Sequence, residues 1–133
     1  ITTAEYNRGV NEGLPMSEFI IYHNPRCSKS RQTLQLLREK GIEPEIRLYL
    51  QQVPDAGELQ DLLAKLGIGA RELLRRGESA YREQELADPE LDDDALVAAM
   101  VRTPKLIERP IVVRGDRAVL GRPPENVLDL IDA

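Results

Sequence analysis

The sequence predicts an α/β domain: a four-stranded mixed sheet flanked by helices, with a helical insert between the second and third strands. Three observations carry this expectation. A short apolar run is followed at once by an amphipathic helix and a second apolar run, which reads as a βαβ unit; two more short runs near the end are separated by a Gly-Asp turn; and the segment between these pairs has helical character.

The elements follow in order. "FIIY", from Phe19, is a β-rich run, and "SKSRQTLQLLREKG" is a helix that ends at Gly41, a suitable residue just past a C-cap. "EIRLYL", from Glu45 to Leu50, predicts a second strand in which Ile46, Leu48 and Leu50 share one face. Pro54 and Asp55 then open a helix whose Leu59, Leu62, Leu63 and Leu66 form one stripe, with Asp55 as N-cap, Glu58 three residues on and Gly67 after the end. From Gly69 to Thr103 the pattern reads as helical throughout: "ARELLRRG", a polar turn around "GESAYREQELADPE", then "DDDALVAAMVRT" stopped by Pro104. "PIVV" and "AVLG" are short strands joined through "RGDR", where Gly115-Asp116 suits a two-residue hairpin turn. "PPENVLDLI" closes the pattern as a helix with proline at its start.

A chain of 133 residues, 41% of them hydrophobic, suits one domain with one real core. We assign it to residues 16–133. The first fifteen, "ITTAEYNRGVNEGLP", show neither helical nor strand periodicity and are read as a tag or leader outside the fold, with Met16 as the start. Eighteen basic against 23 acidic residues give a net charge of −5, which argues against nucleic acid or an anionic membrane as partner. Any anion site must therefore be local. A lone cysteine closes no internal disulfide, and no apolar run is long enough for a secretory signal or a membrane span, so a reducing cytoplasm is the expected compartment.

The chemistry concentrates in "YHNPRCSKSR", which holds the single histidine, His23, and the single cysteine, Cys27. Cys27 falls where a strand passes into a helix. A thiol there meets unpaired backbone N–H groups and the positive end of the helix dipole, with Arg26, Lys29 and Arg31 nearby. Such surroundings lower a thiol from about 8.5 to roughly 3.5–7.5, so Cys27 is expected to be a thiolate nucleophile at neutral pH rather than a buried apolar residue. No metal site is expected, because His23 and Cys27 supply two ligands where zinc wants three or four. A cysteine phosphatase would need its arginine six residues after the nucleophile, whereas Arg31 follows by four and position 33 is threonine. The sequence Cys27-Ser28-Lys29-Ser30 also lacks the second thiol of a Cys-x-x-Cys pair, so any resolving thiol must come from outside.

Four motifs in this order and spacing, "YHNPRCSKSR", "ARELLRR", "LIERPIVV" and "GRPPENVL", resemble the ArsC-type arsenate reductase family of thioredoxin-like fold, in its shorter chromosomal branch. The resemblance runs from about Met16 to the end. It implies that Cys27 is the nucleophile, that Arg75, Arg109 and Arg122 bind the oxyanion, and that His23 and Ser30 tune the thiolate. It implies a cis peptide bond before Pro110. Lys29, Arg31 and Arg76 remain supporting charge. The implied activity is reduction of arsenate to arsenite, with glutathione as co-substrate, glutaredoxin as protein partner and no bound cofactor. "SKS" after the cysteine, in place of small "GTS"-type residues, and the absence of a C-terminal extension separate this chain from the longer members.

Two other readings share the fold. A glutathione-dependent thiol oxidoreductase acting on mixed disulfides needs Cys27 and the cis-proline but not three arginines. An Spx-like regulator that binds RNA polymerase usually carries Cys-x-x-Cys, and this chain has Cys-x-x-Ser.

Overall fold

The computed structural model describes residues 18–132, so the tag or leader reading of residues 1–15 lies outside the described residues. Strands β1 (Phe19–Tyr22), β2 (Glu45–Arg47), β3 (Ile111–Arg114) and β4 (Arg117–Leu120) form one sheet in the order β2-β1-β3-β4. β1 runs parallel to β2 and antiparallel to β3, and β3 is antiparallel to β4. The mixed sheet read from the sequence is therefore observed.

Alternation along the strands splits the core into two layers. Phe19, Ile21 and Val112 face helix α1 (Ser28–Glu39), where they meet Leu34, Leu37, Val127 and Leu130. Tyr22, Ile111, Val113 and Ala118 face the opposite way, onto helix α2 (Ala56–Leu66) and the insert. The predicted leucine stripe supplies Leu59, Leu62 and Leu63 to this second layer, with Leu66 packed at its margin. Truncating a residue as enclosed as Leu37 or Leu59 to alanine would cost about 2–5 kcal/mol. Asp55 caps α2 by accepting from Glu58 N at 2.8 Å, and Gly67 ends it at φ +72°. Glu58 does not turn back to close a capping box. Its carboxylate accepts from Tyr22 Oη at 2.5 Å and pairs with Arg47 at 3.2 Å, tying β1, β2 and α2 together.

Two expectations need correction. The second strand stops at Arg47 rather than Leu50, and Ile46 and Leu50 are exposed while Tyr49 is buried to 2%. β2 is a short strand at the sheet edge, and the backbone turns at Leu48, whose carbonyl accepts from Gln51 and Gln52. The insert is also less helical than its composition suggests. Helix α3 covers only Ala70–Leu73, α4 (Ser79–Glu83) forms inside the expected polar turn, and α5 (Asp93–Arg102) matches the last predicted segment. After α3, Leu74 is extended and bridges to Ile107; Arg75 N donates to Leu106 O at 2.7 Å, and Glu108 N to Leu73 O at 2.8 Å. Long-range pairing there replaces the last turn of the expected helix, as tertiary contacts often override helix propensity.

The hairpin turns at Gly115, φ +63°. The closing helix begins as a 3-10 turn, Pro124–Val127, and continues as α6 (Leu128–Ile131). The Arg109-Pro110 bond is cis, as the resemblance implied, and so is Arg122-Pro123, which no expectation covered.

Candidate active site

Sheet register brings the site together. Arg47, Tyr22, Ile111 and Leu120 form one row across the four strands. Beyond that row, at the same sheet end, lie Tyr49, the His23–Cys27 loop, Arg109 and Arg122. The antiparallel pairings of β1 with β3 and β3 with β4 require this, because each places the end of one strand beside the start of the next. Arg75 arrives separately, through the bridge that sets it beside Glu108.

Cys27 is the N-cap residue of α1, extended at φ −94° and ψ 125°, and is buried. The loop before it is held by its own polar groups: Cys27 N donates to Asn24 O at 2.9 Å, Arg26 N to Asn24 Oδ1 at 3.0 Å, and Arg31 Nη1 to Pro25 O at 2.9 Å. Burial pushes the thiol up, but the Ser30 N–H, the charge of Arg109, the Lys29 N–H and the Arg109 guanidinium together outweigh it, so the thiol sits below its ordinary value. An N-cap position offers the N–H groups of the second and third helical residues, here Lys29 and Ser30, to an anion.

His23 and Ser30 are buried against each other, with His23 Nδ1 2.7 Å from Ser30 Oγ. Ser30 Oγ also accepts from Asn24 N at 3.0 Å. The hydroxyl is thus committed to the loop, and Ser30 favours the thiolate through its backbone. Burial, reinforced by the charges of Arg38 and Arg31, lowers the His23 pKa below its usual 6.5, so a neutral imidazole faces Ser30.

The three arginines converge. Arg122 Nη1 lies 3.8 Å from Cys27 Sγ and donates to Arg109 O at 3.1 Å. Arg75 Nη1 pairs with Glu78 at 2.6 Å, while its Nε lies 3.5 Å from Glu108 Oε1. Arg122 Nε is 3.7 Å from that same oxygen. Arg109 Nε and Nη1 are buried with no hydrogen-bond partner. Of the supporting cations, Arg31 holds the loop and Arg76 is exposed. Among the described residues no group of three or more His, Cys, Asp or Glu side chains is placed to hold a metal ion, and no helix is long and apolar enough to cross a membrane.

Sequence reasoning missed two residues here. Tyr49 was passed over in favour of its strand neighbours, yet burial raises its hydroxyl pKa to about 12 while the charges of Arg109 and Arg75 oppose that rise. Glu108 carries no signal of its own in the sequence; an acid beside an arginine ordinarily reads as a solvated pair, and only the fold shows it between Arg75 and Arg122.

Such a site, a cysteine at a helix N-terminus with Arg122 beside it and an Arg109 whose Nε and Nη1 lack partners, suits a thiolate that must meet an anion. Comparison with known proteins gives the same direction. The ArsC family model matches residues 22–130. YfgD of Escherichia coli K12, an uncharacterised protein, is 58% identical over 112 residues, which cover 84% of this chain and 94% of that protein. An arsenate reductase of Neisseria meningitidis is 49% identical over 113 residues, covering 84% of this chain and 97% of the relative. The solved structure of an arsenate reductase from Vibrio cholerae superposes with a TM-score of 0.84 at 50% identity, covering 86% of this chain and 98% of that one. With its family model spanning the Cys27 loop, the insert and the hairpin alike, this chain belongs to the ArsC family.

Proposed function

We propose that the protein reduces arsenate to arsenite through Cys27, with glutathione and glutaredoxin as the source of electrons. The observation that carries this reading is the placement of Arg122 Nη1 3.8 Å from Cys27 Sγ, beside an Arg109 whose Nε and Nη1 lack partners. A thiolate and an oxyanion repel each other, and guanidinium groups on both offset that repulsion while offering forked donors to tetrahedral oxygens. Relatives named arsenate reductase supply the substrate.

In the first step the Cys27 thiolate attacks arsenic(V) and an arsenate oxygen, protonated, leaves as water, forming an S–As bond without change of oxidation state. A glutathione thiol then displaces a second oxygen as water. Glutaredoxin thiolate attacks the glutathione sulfur, the S–As bond to glutathione breaks, and its electron pair stays on arsenic. Arsenic(V) becomes arsenic(III) and the two external thiols become a mixed disulfide. Hydrolysis of the remaining S–As bond releases arsenite and restores the Cys27 thiol. This chain's contribution is the nucleophile, the arginines that bind and orient the anion, and the loop in which His23, Ser30 and Asn24 hold Cys27 at the helix start. Cys27 must stay reduced between turnovers, which suits the cytoplasm.

The test is a coupled assay with arsenate, glutathione and glutaredoxin, followed through NADPH and glutathione reductase. Arsenate-dependent NADPH oxidation that is lost in Cys27→Ser supports the proposal. No turnover from folded protein with a free thiol overturns it and favours thiol exchange.

A further inference from the structure

Glu108 sits where a pocket built only to attract anions would have no carboxylate. Its Oε1 lies 3.5 Å from Arg75 Nε and 3.7 Å from Arg122 Nε, yet is buried without a hydrogen bond. Arg109, the next residue, has buried Nε and Nη1 groups that are also unpartnered, so the two side chains do not satisfy each other. Donors and an acceptor left without hydrogen bonds in one cluster are costly for the protein alone. Together they are the complement of a ligand that brings acceptors and a donor.

We infer that Glu108 makes the site selective for oxyanions that carry a proton, such as hydrogen arsenate or hydrogen phosphate, against fully deprotonated ones such as sulfate. The inference rests on the reading of this pocket as an oxyanion site. A guanidinium can only donate and a carboxylate can only accept. An anion with an O–H group therefore serves Arg75, Arg109 and Arg122 through its bare oxygens and Glu108 through its proton. Sulfate leaves the carboxylate unserved and sets a bare oxygen against it. The Glu108 side chain is 26% exposed as a whole, while Oε1 itself is buried between Arg75 and Arg122. Sites that hydrogen-bond a substrate hydroxyl reject analogues lacking it far more strongly than apolar pockets discriminate by size.

The test needs no turnover. The rate of Cys27 alkylation by iodoacetamide is measured on the reduced full chain at fixed pH and ionic strength, with inorganic phosphate or sodium sulfate as protectant. Wild type is expected to be half-protected by phosphate at a concentration at least tenfold below that for sulfate. In Glu108→Gln, whose amide can donate to a bare oxygen, the two should fall within about threefold, mainly through tighter sulfate. A thermal melt checks folding, and Glu108→Ala serves if the glutamine variant is unfolded. The same phosphate-to-sulfate ratio in wild type and variant, or equal protection by both anions in wild type, overturns the role of Glu108 alone. No protection of wild type by either anion overturns the oxyanion reading as well.

Discussion

Arg122 Nη1 reaches within 3.8 Å of Cys27 Sγ across 95 residues of chain, and its neighbour Gly121 is what permits the approach. Gly121 N donates to Pro110 O at 2.9 Å, and its carbonyl accepts from Thr33 Oγ1 at 3.3 Å, so the backbone lies flat against α1. A Cβ at Gly121 would sit 2.5 Å from Thr33 Oγ1 and 2.8 Å from Pro110 Cγ. Helix, cis-proline and arginine are thereby fixed relative to one another.

Gly121→Ala should therefore destabilise the fold by about 1–3 kcal/mol through overpacking and draw Arg122 away from the sulfur. Urea unfolding and the alkylation rate of Cys27 read the two effects separately. Unchanged stability would contradict the packing described.

Cys27 should react with iodoacetamide with a midpoint below the ordinary thiol value, since the Ser30 and Lys29 N–H groups and Arg109 overcome the effect of burial. The folded pKa lies below the unfolded one, so the unfolded chain holds the extra proton between them. Stability relative to Cys27→Ser should rise with pH across that window, be fully present above the unfolded value and be lost as pH falls through the folded midpoint. A midpoint at or above about 8.5 sinks this.

Arg109→Ala should lower kcat/KM for arsenate about a hundredfold, the order expected when one preorganised donor to an oxyanion is removed. The alkylation midpoint of Cys27 should move up, because the Arg109 charge is one of its stabilisers. Thermal stability should hold, since the variant also removes two buried nitrogens without hydrogen-bond partners. Activity within a few-fold of wild type would remove Arg109 from the oxyanion pocket.

Ser30→Ala should cost about 1–3 kcal/mol, because Ser30 is fully buried and its loss strands Asn24 N–H and His23 Nδ1. The Cys27 midpoint should change little, as the Ser30 N–H remains. A large upward shift with unchanged stability would assign the hydroxyl, rather than the backbone, to the sulfur.

His23 has a folded pKa below its unfolded 6.5, chiefly through burial and secondarily through Arg38 and Arg31. The unfolded chain then binds the extra proton between the two values. The corresponding stability is complete above about 6.5 and is lost as pH falls toward the depressed value. His23→Gln should flatten that acid limb in a series of denaturant titrations, and an unchanged limb would place the acid sensitivity elsewhere.

By itself the sequence determined the parts whose signals are local. The apolar run before Cys27, the leucine stripe with Asp55 and Gly67 at its ends, and the Gly115 turn each read correctly, because caps, turns and periodicity act over a few residues. The motifs around Cys27, Arg75, Arg109 and Arg122 were legible through family resemblance. Tertiary structure alone decided the rest. Whether Ile46 or Tyr49 is buried depends on where β2 stops and on which distant segments pack against each residue, which no local pattern records. Arg75 leaves the helical path because Leu74 pairs with Ile107, a contact between distant segments whose hydrogen bonds outweigh the local preference for helix. Glu108 acquires meaning only between Arg75 and Arg122, since a charge reveals its role through its neighbours in space, and those neighbours are set by strand register rather than by position along the chain.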